Sequence, residues 1–346
     1  MRDAHLSRFV LGAATLLGAG LAGGVILVGA HGLRAPDRAA MPGTPVRPRG
    51  AGPAPAGESF AALRVRVRQR IARLGDRLPP HLVLLEAPPF LVVGEEPRAR
   101  VQHHLDQTIR WADRHLRRLY FHRPPRPLEV WLGADAVGYA KITRALLNAP
   151  PTTPYGFYMD DQRMMIMNIQ TGGGTLVHEL VHAYMEANFP DCPPWFNEGL
   201  GSLYEMVGEK RGRMWGFVNW RLPPLQEAIR KRRTLPFAKL MALSQRAFYR
   251  GHTGVHYGQS RYLLYYLQTR GKLVSYFRRF LRNHATDPTG LNTLQAVLGH
   301  ADLEAFRARW EHWVLGLRYA PRVIVTQDDA AAKSGDPSTD PTPALR

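Results

Sequence analysis

The feature that most constrains this chain is the run from Gly172 to Glu205, GGGTLVHELVHAYMEANFPDCPPWFNEGLGSLYE. In it two histidines, His178 and His182, stand four residues apart. At 3.6 residues per turn such a pair shares one face of a helix, so both imidazoles can reach a single ion. Leu176, Val177, Leu180, Val181 and Tyr184 form a broad apolar stripe, and the spacing predicts a helix buried on most of its sides. Glu179 is displaced around that helix, where a carboxylate could contact water rather than an ion. The glycines Gly172 to Gly174 read as a flexible lead-in. Pro193 and Pro194 predict the start of a second helix, where proline is tolerated in the first turn, and Asn197-Glu198-Gly199 follows at once. A catalytic zinc takes three protein ligands and leaves one position for water; His178, His182 and the Glu198 carboxylate meet that need. The competing reading is a satisfied core pair of histidines with Glu179 solvated.

HELVH followed by WFNEG resembles the gluzincin metallopeptidases, in which HExxH supplies two zinc ligands and a glutamate on the next helix the third. GGGTLVHELVH, PPWFNEGLGSLYE and the later YGQSRYLLYYL are similar to the bacterial peptidase MA-like families of that clan. The resemblance covers about Leu82 to Leu267, with specific motifs only from Gly172 onward. It implies His178, His182 and Glu198 as zinc ligands and Glu179 as the general base. It also implies Tyr257 as the donor to the oxyanion, because YGQSRYLLYYL resembles the segment carrying the transition-state tyrosine of related aminopeptidases. A half-buried tyrosine on a core helix is the alternative, and His252 or His256 could act instead. Ser202 and Glu205, beyond Glu198, are candidates to orient the ligands. One departure stands out: fifteen residues separate His182 from Glu198, fewer than in the larger aminopeptidases of the clan.

Composition adds limits. A hydrophobic content of 45% supports a sizeable core, and the non-globular ends of the 346 residues favour one domain. The net charge of +18 invites a nucleic-acid or membrane-surface reading. Only 6 of the 46 basic residues are lysine, though, and no nucleic-acid-binding module accompanies the charge, so no specific nucleic acid is expected. Cys192 is the sole cysteine, which excludes a disulfide within the chain; it reads as a small apolar residue, with Glu198 in the better ligand motif.

At the N-terminus Phe9 to Ala30 runs 22 residues without a charge, long enough as a helix of about 33 Å to cross a bilayer. Residues 1–30 are therefore read as a membrane anchor or, with Val28-Gly29-Ala30 as a small-residue cleavage site, a signal peptide. The catalytic part is then expected outside the cytoplasm: tethered to the cell membrane, or secreted or periplasmic after cleavage. Residues 31–58 form a Pro/Gly/Ala-rich linker, residues 59–318 the peptidase MA-like domain, and 319–346 a polar tail.

Within the domain, Ser59 is the expected N-cap of a helix running from Phe60 to about Arg77. Strands are expected at His81–Leu85 and Phe90–Val93 with a turn at Pro88-Pro89, at Pro127–Leu132, and at Arg163–Gln170, RMMIMNIQ. In gluzincins an edge strand at this last place pairs with the substrate backbone. Its methionines read as core packing or, alternatively, as a forgiving groove. Helices are expected at Arg98–Phe121 and Ala134–Leu147; His103, His104, His115 and His122 lack a matching carboxylate spacing and read as surface or core residues. After Glu205 the chain reads as mainly helical to Leu317, with breaks at Pro223-Pro224, Gly251, Gly271 and Pro288-Thr289-Gly290. The expectation is an α+β, zincin-like fold: a small mixed sheet, the HExxH helices, then a mainly helical part. Its expected activity is zinc-dependent hydrolysis of a peptide or protein substrate. Two rivals are a catalytically silent, membrane-tethered zincin-fold binding or scaffold protein and a basic nucleic-acid or anionic-polymer binder. The oligomeric state is left open.

Overall fold

The computed structural model describes residues 57–320. The anchor or signal segment, the linker up to residue 56 and the tail beyond residue 320 lie outside the described residues. Among those described, no helix is long and apolar enough to cross a membrane. Glu58, expected as the last linker residue, is tied to the domain: its carboxylate takes hydrogen bonds from Arg66 Nε at 2.7 Å and Nη2 at 2.9 Å.

Helix α1 (Phe60–Leu74) begins where Ser59 Oγ accepts from the Ala62 N–H at 3.2 Å. Strands β1 (Val83–Ala87) and β2 (Phe90–Gly94) pair antiparallel across Pro88-Pro89. A long helical stretch follows: α2 (Arg98–His104), a π-helical segment (Leu105–Arg110) and α3 (Trp111–Leu119). Next come β3 (Leu128–Gly133), α4 (Ala136–Leu147), β4 (Gly156–Met159) and β5 (Met164–Asn168). Asp135 caps α4 by accepting from the Val137 and Gly138 N–H groups. The sheet order is β1-β2-β3-β5-β4, with β2, β3 and β5 parallel and both edges antiparallel. Alternation splits the side chains between two cores: Val92, Val130, Met165 and Met167 face the larger, Leu91, Val93, Trp131 and Ile166 the smaller one under α1 and α4.

The expected edge strand needs correction. Met164–Asn168 lies inside the sheet between β3 and β4, and every residue in it is buried, as a strand covered on both faces must be. The edge is β4, which the sequence reading left unassigned; four residues are too few to show a period. The methionines pack into the two cores and line no groove.

Helix α5 (Gly173–Asn188) carries the two histidines, and α6 (Pro194–Leu203) starts at the expected proline. A hairpin of β6 (Val207–Lys210) and β7 (Arg213–Gly216) then interrupts the expected helical run. The remainder is helical: α7 (Leu222–Arg230), α8 (Phe237–Met241), α9 (Gln245–Phe248), α10 (Thr253–Thr269), α11 (Leu273–Asn283), α12 (Leu291–Leu298) and α13 (Leu303–Gly316). Pro223 and Pro224 sit in the first turn of α7, where their missing N–H groups cost nothing, and do not separate two helices. Trp310 is fully buried, with Trp313 and Leu317 packed against the same core. The result is a mixed α+β molecule with a small mixed sheet and a mostly helical C-terminal part.

Candidate metal centre

Helix α5 is buried almost all round: Leu176, Val177, Leu180, Val181, Ala183, Tyr184 and Met185 are within the larger core. Of the three glycines expected as a flexible lead-in, Gly173 and Gly174 belong to the helix, and Gly174 serves close packing. A Cβ on Gly174 would stand 1.9 Å from the Glu205 carbonyl oxygen, so only glycine lets the helix start this near to Glu205. Helix α6 also packs close, against the His178 ring. A Cβ on Gly201 would meet the His178 ring at 3.0 Å.

These approaches bring His178, His182 and Glu198 together. One potential ligand atom from each lies within 4.8 Å of the others, the one such group of three among the described residues. Glu198 Oε2 is 3.3 Å from His178 Nε2 and 3.6 Å from His182 Nε2. Yet this buried oxygen accepts no hydrogen bond of acceptable geometry. The opposite nitrogens are held by other partners: His178 Nδ1 stands 3.2 Å from Glu205 Oε1, and His182 Nδ1 2.9 Å from Asn197 Oδ1. Each imidazole thus has one ring nitrogen anchored and the other turned toward Glu198. The second Glu198 oxygen, Oε1, takes a short hydrogen bond from the Tyr249 hydroxyl. Two imidazoles and a carboxylate around an orphaned buried oxygen are a donor set that fits a divalent metal such as zinc.

Electrostatics follow from the burial. Burial works against charge on His178, but the Glu198 and Glu205 carboxylates facing its two ring nitrogens outweigh it and push the imidazole up to about 10. Burial opposes charge on His182 as well, and the nearby Glu198 carboxylate nevertheless raises it. Burial alone would raise the Glu198 carboxyl; the two histidines hold it well below the ordinary range. Without a cation, the His178 proton balances the buried carboxylate.

Glu179 sits beside this group, half-buried, and burial lifts its carboxyl above the ordinary range. Its Oε2 accepts from the Tyr158 N–H at 3.1 Å, which places it against the outer edge of β4. Tyr257 is buried on α10, its ring 6.3 Å from that of Tyr249. Burial, then the charge on Glu198 and the neighbouring Tyr249, hold its phenol well above the ordinary value, so it stays protonated.

Glu205 is the better placed of the two candidate orienting residues. Arg221 grips it through Nε at 2.7 Å and Nη2 at 2.6 Å, and Asn219 Nδ2 adds a third hydrogen bond at 3.1 Å. Burial would raise its carboxyl, but the Arg221 charge overrides this and lowers it to about 2. Ser202 is fully buried, but its hydroxyl has no hydrogen-bond partner and does not reach the histidines. His256 Nδ1 is committed to the Phe248 carbonyl at 2.8 Å, and His252 is exposed ahead of α10. Cys192 Sγ leans on the Pro193 carbonyl, outside the group. His104 pairs with Glu96 and His115 lies near Glu209, both away from it.

Asn197, Tyr249 and Arg221 were assigned no role from the sequence. Asn197 adjoins Glu198, and its place on the same helix was a usable signal. Tyr249 is 51 residues from Glu198 and Arg221 is 16 from Glu205, with no shared local pattern to connect them. No family model matches the chain, and no curated protein is similar enough to match it.

Proposed function

We propose that this chain is a zinc-dependent peptidase with a zincin-like arrangement, acting on peptide or protein substrates. The observation that carries the reading is the buried His178–His182–Glu198 group, with an oxygen of Glu198 left without a hydrogen bond and Glu179 poised beside it. His178 Nε2, His182 Nε2 and Glu198 Oε2 would hold the zinc. When bound, zinc supplies a Lewis acid that activates water and polarises a carbonyl.

The protein's own groups do the rest. Glu179, with its carboxyl raised by burial, takes the proton from the attacking water and later delivers it to the leaving amine. Tyr257, kept protonated, donates to the oxyanion as the carbonyl turns tetrahedral. Strand β4 is the sheet edge beside Glu179, where an extended peptide would add as a further strand once Glu179 gives up the Tyr158 N–H it now holds. Anchoring by Phe9 to Ala30, or cleavage after it, would place this chemistry outside the cytoplasm.

The deciding experiment uses Glu179→Gln, which keeps size but cannot accept a proton at neutral pH. It should bind one zinc per chain with unchanged thermal stability while hydrolysis of a peptide library falls by roughly 10²–10⁴-fold. His182→Ala should lose the zinc. Full occupancy in His182→Ala, or Glu179→Gln activity within a few-fold of wild type, would sink the assignment. Zinc binding with no hydrolysis by wild type would favour a membrane-tethered zincin-fold scaffold.

A further inference from the structure

We propose that Arg221 is a positioning residue for the metal centre: by gripping Glu205 it sets the orientation and tautomer of His178. This rests on the metal reading above. An imidazole can flip about its Cβ–Cγ bond, and which nitrogen faces a metal is decided by the hydrogen bond made by the other. For His178 the group facing that other nitrogen is Glu205 Oε1, 3.2 Å from Nδ1. A proton held on Nδ1 leaves the Nε2 lone pair turned toward Glu198.

Glu205, however, lies in the turn beyond the end of α6, where its backbone N–H reaches the Ser202 carbonyl at 3.3 Å but nothing in that turn fixes the carboxylate itself. Its side chain stays in place because a planar fork closes on it, with Arg221 Nε on one oxygen and Nη2 on the other. Arg221 in turn is 2% exposed and lies over two rings, with its guanidinium carbon 4.2 Å from the centre of Trp220 and 4.7 Å from that of Tyr257. Its Nη1 has no hydrogen-bond partner. A buried ion pair with an unsatisfied donor is a poor device for stability, since well-packed apolar residues do as well or better. It is an effective device for orientation, because a carboxylate held by two parallel bonds cannot swing away from the imidazole it faces.

The test uses the full chain with zinc alone as the probe: competition against a chelator for affinity, and ¹⁵N resonances of the zinc-loaded protein for the His178 tautomer. Wild type should show the proton on Nδ1. Arg221→Met should bind zinc roughly 10–100-fold more weakly, the usual cost of losing an outer partner of a ligand, and should lose the single tautomer. Arg221→Lys keeps the charge without the fork and should fall between. Glu205→Gln combined with Arg221→Met should be no worse than Glu205→Gln alone, because both act through one route. Should Arg221→Met fail to fold, Arg221→Lys decides: wild-type affinity and an unchanged tautomer would overturn the proposal. Losses that simply add in the double variant would overturn it as well. Wild type that takes up no stoichiometric zinc would instead remove the metal reading, and this inference with it.

Discussion

Two buried carboxylates lie on opposite sides of the five-stranded sheet, and their surroundings differ in one respect that decides what each can do. Glu129, on β3 under α1, is fully buried; Arg66 Nη1 and the Trp131 indole N–H at 2.8 Å bond its oxygens, and Arg70 Nη1 adds a short contact. Both of its oxygens are satisfied by donors, the two arginines keeping their charge at any ordinary pH. Glu198, on α6, is equally enclosed, but its cationic neighbours are imidazoles that can surrender their protons, and Oε2 accepts no hydrogen bond. The first arrangement is closed and can only hold the fold together. The second is exchangeable: protons can leave and a metal can take their place.

Exchanging the same substitution between the two positions gives the largest contrast. Glu129→Gln leaves Arg66 and Arg70 short of a buried partner and should cost roughly 3–5 kcal/mol in urea unfolding, with zinc binding by the folded fraction unchanged. Glu198→Gln should abolish stoichiometric zinc binding with a smaller loss of metal-free stability than Glu129→Gln, because His178 and His182 can shed their protons once the carboxylate is gone. Equal loss of stability in the two variants, or retention of zinc by Glu198→Gln, would erase the distinction.

This distinction was only half legible in the sequence. The four-residue spacing of His178 and His182, the proline at the head of α6 and the Ser59 cap are local patterns, and local physics carries them into the structure. Glu198 stands in a motif, but nothing local shows how its surroundings differ from those of Glu129, which sits in the apolar run of a strand. What separates them is supplied by Tyr249, Arg66 and Arg70, and each of these contacts spans more than 50 residues of chain. The edge strand was misplaced for a related reason. RMMIMNIQ reads as a good strand whether it lies at an edge or inside, and only the four residues of β4 pairing onto it make it interior.

Acid and base should also distinguish the two sides of the sheet. In the metal-free protein His178, raised to about 10 from its ordinary 6.5, contributes stability that is complete below 6.5 and lost as pH rises through about 10. Glu205, lowered to about 2 from 4.5, contributes stability present above 4.5 and lost as pH falls through about 2. Zinc reverses the alkaline limb, because it needs the imidazoles neutral: between pH 5 and 8 its affinity should rise, with protons, that of His178 among them, released as zinc binds. Calorimetry in buffers of different ionisation enthalpy counts those protons. No proton release would mean the imidazoles are already neutral and the cluster is not exchangeable. Glu198→Gln should remove the zinc-linked protons, and no change on the Glu129 side should do so.

The smallest effect compares two neutral donors that serve the two carboxylates. Trp131 gives its N–H to Glu129, and Tyr249 gives its O–H to Glu198 Oε1. Trp131→Phe removes one hydrogen bond from a closed ion cluster and opens some space in the smaller core. It should cost about 1–3 kcal/mol of stability without touching zinc affinity. Tyr249→Phe removes a hydrogen bond from the oxygen that does not face the imidazoles. Glu198 is then free to rotate, so the loss should fall on the metal, about 10-fold in chelator competition, with little change in the urea midpoint. A stability loss in Tyr249→Phe equal to that of Trp131→Phe, with zinc affinity unmoved, would show that Tyr249 is part of the packing and does not aim the carboxylate.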